Sequence, residues 1–183
     1  MNYRTIGVVE LNSIALGMQT ADEMSKAATV DLVMARPTCP GRYLIMVAGD
    51  TGSVKSSVEA GREVAGDMVI DWFVISSIHP TVLPALSGAT IVPRINALGV
   101  IETYTVASCI LAADAAAKSG QVDLIEIRFA AGLAGKSFVT MTGDVGSVKA
   151  SVAAGIEGVG ESGPVLSHVV IPSPSDDLKA QLV

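Results

Sequence analysis

The sequence predicts an α/β chain made of two tandem units, each with the element order βαββαβ. The first observation is a repeat: Gly49 to Gly61 returns as Gly143 to Gly155, with ten of thirteen positions identical. The second is that Ile6-Gly7-Val8-Val9-Glu10 matches Leu98-Gly99-Val100-Ile101-Glu102 at an offset of 92, whereas the later stretch matches at 94. A period just over ninety residues in a chain of 183 defines two small domains, 1–92 and 93–183. The third is composition: half the residues are apolar but only 4% are aromatic, so the interior is built from Ala, Val, Ile and Leu, which suits close packing of helices on a sheet.

In the first repeat, Ile6 to Val9 reads as a buried strand. A helix follows from about Ser13 to Ala28, with Ile14, Met18, Ala21 and Met24 near helical spacing. Leu32 to Ala35 is the second strand and Tyr43 to Ala48 the third, separated by the turn Pro37-Thr38-Cys39-Pro40-Gly41. Asp50 is placed to cap a second helix whose Val54, Val58 and Ala65 face inward. The fourth strand is expected over 69–78, around the apolar run Trp72-Phe73-Val74-Ile75. The second repeat follows the same order through Leu98 to Ile101, Val106 to Lys118, Leu124 to Ile127, Ser137 to Met141, Ser147 to Ile156 and Val165 to Ile171. Residues 81–93 are rich in helix and strand breakers but still apolar, and are expected to be a packed connector rather than a tether. The tail from Pro172 reads as a terminal helical turn or a frayed end.

Twelve Lys and Arg against eighteen Asp and Glu give a net charge of −6 without charge blocks, which argues against binding a phosphate backbone. The longest stretch free of charged residues, Trp72 to Pro93, is interrupted by His79, Pro80 and Pro84 and does not read as a membrane span. The opening residues lack the layout of a signal peptide, so a cytosolic location is expected. The apolar excess, with only 16% charged residues, also suggests surface hidden between subunits. The cysteines, Cys39 and Cys109, lie in unrelated contexts and do not suggest a disulfide.

The change in offset falls where Arg36 to Gly41 faces Arg128 to Gly135, so one loop diverged on a fixed scaffold, and function is expected there. On residues alone, Cys39 is a small turn residue, a bare thiol, or a soft metal ligand; one thiol per chain without Cys-x-x-Cys spacing is too few for a cluster. Cys109 sits among small apolar helical residues and reads as buried packing. His79 and His168 have no carboxylate or cysteine at ligand spacing and read as structural. The Gly49 and Gly143 segments lack the spacing of a phosphate loop, so Asp50 and Asp144 read as helix caps. Lys26 and Lys118 form i,i+4 pairs with Asp22 and Asp114, as on any solvated helix.

Taken together, the Gly-Val-Val-Glu opening strand, the segment Ala27 to Val33 and the Gly-Asp-x-Gly-Ser-Val-Lys helix start resemble the bacterial microcompartment shell domain, twice over almost the whole chain. The segment Thr38 to Tyr43 is similar to that of the tandem-domain shell subunits of propanediol-utilisation microcompartments that carry an iron–sulfur cluster. The resemblance implies ferredoxin-like domains, each an antiparallel sheet with helices on one face, and a homotrimer that mimics a hexagonal tile. It implies a central pore walled by Thr38, Cys39, Pro40 and Gly41 from one repeat and Gly132, Leu133, Ala134 and Gly135 from the other. It implies that Lys26 and Lys118 lie at tile edges, and that three Cys39 thiolates hold one [4Fe-4S] cluster per trimer. The ends of the two repeats, Ile78-His79-Pro80 and Ile171-Pro172-Ser173-Pro174, depart from the more basic ending usual in the family.

The expected function is that of a structural shell subunit, not an enzyme, whose cluster serves electron transfer across the shell or cluster delivery. Its expected partners are itself, other shell proteins and an enclosed redox enzyme, with no nucleic acid and no membrane. The alternative is a cluster-free shell protein whose pore passes small metabolites. An enzyme or sensor built on paired ferredoxin-like domains ranks last, because no triad or cofactor fingerprint stands out.

Overall fold

In the computed structural model, residues 4–92, 94–129, 132–160 and 165–182 are described. The first repeat forms β1 (Thr5–Leu11), α1 (Ile14–Ala27), β2 (Asp31–Thr38), β3 (Arg42–Gly49), α2 (Thr51–Ala65), a 3-10 turn at Gly66–Met68, and β4 (Val69–Ile75). A short helix, α3 (Val82–Ser87), follows. The second repeat forms β5 (Ala97–Thr103), α4 (Val106–Ser119), β6 (Val122–Phe129), β7 (Ser137–Gly143), α5 (Val145–Val159) and β8 (Val165–Ile171), with a last turn α6 (Asp176–Lys179). Each repeat is the predicted βαββαβ unit, and each closes a four-stranded antiparallel sheet, in the orders β2-β3-β1-β4 and β6-β7-β5-β8.

Contacts divide the chain into two units. The first reaches to Ile78 and takes in Thr105–Ala107 and Gly132–Gly135; the second holds the rest. In the first, the central strands β1 and β3 lay Val9, Leu11, Tyr43, Ile45 and Val47 against Ala21, Met24, Val54, Val58 and Ala65 of the two helices. All of these but Tyr43 and Met24 are the Ala, Val, Ile and Leu that composition called for. The repeated glycine of the opening strand has a steric reason. A Cβ on Gly7 would lie 2.4 Å from Val58 Cγ2, and one on Gly99 would lie 2.8 Å from Val148 Cγ1, so the helix rests on bare strand backbone in both repeats.

The predicted caps are in place. Asp50 Oδ1 accepts from the Gly52 and Ser53 backbone N–H groups at 3.0 Å each, and Asp144 Oδ1 accepts from Ser147 N–H at 3.0 Å. Hydrogen bonds from the Ser53 and Ser147 side chains, and after them from those backbone N–H groups, hold both carboxyls below the usual aspartate pKa.

The fourth strand corrects the sequence reading: it stops at Ile75, not Ile78, because its ladder with β1 ends at Ile6↔Ile75. Beyond that pair the chain bends, and the Ile78 N–H bonds Arg4 O at 2.9 Å. Conversely β6 outruns its apolar centre at both ends, since its pairing with β7 runs from Val122↔Gly143 to Phe129↔Ser137. The connector is partly helical: Val82, Ala85 and Leu86 of α3 are buried, and the helix lies against β6 in the second unit. Pro93 falls outside the described residues. The tail forms the single turn α6, capped by Ser175.

Candidate functional site

The turn between β2 and β3 carries Cys39 as a free, half-buried thiol between buried Thr38 and exposed Pro40 and Gly41. Gly41 closes the turn at φ +87°, a conformation glycine adopts without strain, and its N–H bonds Thr38 O at 3.1 Å. The Cys39–Pro40 peptide bond is cis. Thr38 Oγ1 is buried with no hydrogen-bond partner among the described residues.

The counterpart loop of the second repeat belongs to the same unit as Cys39. Gly132 and Gly135 have φ +86°, Ala134 has φ +50°, and Leu133 is half-buried. Gly135 sits so close to the first loop that a Cβ there would lie 3.0 Å from Pro40 Cδ and 3.1 Å from Arg42 Cζ. The structure thus brings together the two loops that sequence analysis singled out. Ala130 and Ala131, which precede Gly132, fall outside the described residues.

Two side chains that sequence analysis did not select organise this region: Arg42 and Glu10. Arg42 Nη1 donates to Gly135 O at 3.3 Å and to Glu10 Oε1 at 3.0 Å. Glu10 is fully buried on the central strand, yet its carboxylate is well supplied with donors: Oε2 accepts the backbone N–H groups of Val106 at 2.8 Å and Ala107 at 3.2 Å, the first turn of α4. Beside it, Thr105 Oγ1 donates to Asp71 Oδ2 at 2.6 Å. Burial pushes the Glu10 carboxyl above its usual pKa, against the lowering pull of the Ala107 N–H and the Arg42 charge. The signal in the sequence was a carboxylate inside an otherwise apolar strand, present in both repeats as Glu10 and Glu102. A register shift against the neighbouring strand falls beside each of them.

The remaining candidates occupy ordinary surroundings. Lys26 and Lys118 close ion pairs with Asp22 and Asp114. Cys109 is buried. The His79 ring shares a 2.8 Å hydrogen bond with Thr81 Oγ1, and its backbone N–H donates to Asp114 Oδ1 at 2.7 Å. Among the described residues no three His, Cys, Asp or Glu side chains converge as a metal site. No helix among them is long and apolar enough to cross a membrane.

A repeated antiparallel domain with a diverged loop can be compared with known proteins, and the BMC domain matches residues 5–78 and again 97–174. The chain belongs to the BMC-domain family of bacterial microcompartment shell proteins. It is 41% identical over 180 residues to the bacterial microcompartment shell protein PduT of Citrobacter freundii, covering 98% of both chains. It is 31% identical to the carboxysome assembly protein CcmO of Synechococcus elongatus, covering 99% of this chain and 69% of that one. Among solved structures, a microcompartment protein from Desulfitobacterium hafniense superposes with a TM-score of 0.86 at 54% identity, over 97% of this chain and 99% of that one. The fused permuted hexameric shell protein MSM0275 superposes with a TM-score of 0.64 at 19% identity, over 86% of this chain and 81% of that one, a likeness of fold.

Proposed function

We propose that this BMC-family chain is a structural subunit in the wall of a bacterial microcompartment, assembled as a homotrimer that mimics a hexamer, with a [4Fe-4S] cluster held at its centre by Cys39 from three copies. The observation that carries the structural part is the double match to the BMC domain, one copy per repeat. Full-length similarity to PduT supports it. The role is that of a wall component rather than a catalyst.

For the cluster, the donor chemistry fits. Cys39 is a free thiol near the tip of a turn, flanked by exposed Pro40 and Gly41 and not enclosed in a packed core. A thiolate is the soft ligand that iron–sulfur clusters require. One chain supplies one such ligand at this turn, so the site depends on threefold assembly, and the fourth iron is left to a non-protein ligand. Thr38, Pro40 and Gly41, with Gly132, Leu133, Ala134 and Gly135, form the surrounding wall, and Arg42 ties the two loops together. Bound there, the cluster supplies a one-electron couple, serving transfer across the wall toward an enclosed redox enzyme or delivery of the cluster itself. Lys26 and Lys118 are proposed to meet neighbouring shell proteins at the tile edges.

The test is anaerobic purification followed by the visible spectrum, with iron and sulfide counted per trimer. Brown protein with about four irons per trimer supports the cluster, and Cys39→Ser then keeps the trimer and loses iron and sulfide. A colourless trimer that stays empty after anaerobic reconstitution refutes the cluster and leaves a tile whose pore passes small metabolites. A chain that stays monomeric refutes the assembly.

A further inference from the structure

The two repeats share a fold, but equivalent positions on their first helices differ sharply in exposure. On α4, Val106 and Ile110 are 2% and 0% exposed; their counterparts on α1, Ile14 and Met18, are 40% and 57% exposed. Asp114 has a side chain 9% exposed, while that of its counterpart Asp22 is 56% exposed. The same helix face is therefore apolar in both repeats, covered in one and bare in the other.

The partner that claims the start of α4 also has a counterpart. Glu10 pairs with Arg42 and accepts the Val106 and Ala107 N–H groups. In the second repeat the corresponding residues are Glu102 and Lys136, the carboxylate 36% exposed and 3.9 Å from the Lys136 Nζ. Ser167, an exposed polar residue, stands where the first repeat has Asp71. The second repeat thus offers a carboxylate that no helix start uses, and the first a helix start where Ser13 Oγ accepts only the Leu16 N–H, at 3.3 Å, flanked by the exposed side chains of Ile14 and Met18.

We propose that these are two halves of one interface between copies of this chain. Glu102 of one copy accepts the backbone N–H groups of Ile14 and Ala15 of a second copy, as Glu10 accepts those of Val106 and Ala107 within a chain. Lys136 takes the place of Arg42, and Ile14 and Met18 become buried. Such a contact joins different surfaces of the two copies, so it is heterologous and repeats head to tail until a ring closes. It rests on the proposal that the chain assembles with itself, and it names the residues that join the copies. The carboxylate gives direction to the contact and the apolar face gives it area.

The experiment is sedimentation of the full chain over a concentration series, with Glu102→Ala and Met18→Asp as variants, and amide hydrogen exchange at Ile14 and Ala15. The wild type is expected to assemble and to protect both amides. Glu102→Ala is expected to weaken association at least about 30-fold, the loss on truncating one partner of a desolvated charged hydrogen bond, and Met18→Asp at least as much, because it places an unpaired carboxylate in the apolar contact. Each variant should keep the far-ultraviolet circular dichroism of the dissociated chain, because Met18 is exposed and Glu102 half exposed in a single copy, neither filling the core. In Glu102→Ala the two amides should exchange freely. A wild-type trimer whose association is unchanged by both substitutions overturns the interface while leaving trimeric assembly standing. A trimer whose Ile14 and Ala15 amides are unprotected also overturns it and leaves the face to another partner. A wild type that remains monomeric overturns both.

Discussion

Glu10→Ala tests whether a buried carboxylate holds the first unit together. The substitution removes the partner of Arg42, whose side chain is only 20% exposed, and the acceptor of two backbone N–H groups, from a position with 0% exposure. Breaking a buried ion pair by deleting one member costs about 3–5 kcal/mol; here the Arg42 guanidinium would lose its counter-charge while keeping Gly135 O, and the Val106 and Ala107 N–H groups would lose their acceptor. Glu102→Ala is the internal control. Its pair with Lys136 is 3.9 Å long and half exposed on both sides, so the loss is at most about 1 kcal/mol. Urea unfolding at a concentration where both variants are monomeric should separate them by several kcal/mol, or on the order of 10 °C in melting temperature. The pH dependence adds a second readout. Burial raises the folded-state pKa of Glu10 above that of the unfolded chain, so the folded state binds this proton more tightly. Glu10's contribution to stability is therefore fullest below the unfolded glutamate pKa and falls as pH rises through the raised value, a fall that Glu10→Gln removes. Equal, sub-kcal/mol losses for Glu10→Ala and Glu102→Ala would refute this reasoning.

Gly17→Ala places a Cβ 2.4 Å from both Cβ and Cγ of Tyr43, forcing α1 off the sheet; a loss of about 1–3 kcal/mol is expected in equilibrium unfolding, despite alanine's better helix propensity. Asp50→Ala and Asp144→Ala each remove a helix cap and should lower the melting temperature at neutral pH. Because both carboxyls are held below the usual aspartate pKa, their contribution is present above that pKa and fades as pH falls through the depressed values, so melting curves of variants and wild type should converge in acid. Lys26→Ala breaks only an exposed i,i+4 pair with Asp22 and should leave the stability of the single chain nearly unchanged; under the proposed edge role of Lys26, the loss appears instead in the lateral assembly of the proposed tiles, scored by electron microscopy.

Local chemistry was legible from the residues. The Asp-x-Gly-Ser signature marks the starts of α2 and α5, because a short carboxylate beside free N–H groups acts within one turn, and the structure shows those bonds at 3.0 Å. Residue periodicity and the repeat gave the βαββαβ order, since alternation and helical spacing are properties of a few consecutive residues. Element ends were less legible: β4 stops where its neighbour's ladder stops, a fact of pairing and not of the Trp72–Ile75 run itself. The diverged loop and Cys39 could be picked out by comparing the repeats with each other, but the approach of Gly135 to Pro40 and Arg42 could not, because ninety-odd residues separate them in the chain.

The sequence by itself determined that there are two like domains, where their helices begin, and that a single loop carries a thiol. Tertiary structure alone decided the environments of like residues. Glu10 and Glu102 occupy the same place in the same motif, yet one is buried against a helix start and a guanidinium while the other stands half exposed beside a lysine. A repeat copies residues and their local preferences, but burial and charge pairing depend on whatever arrives from far along the chain, and that differs between the two halves.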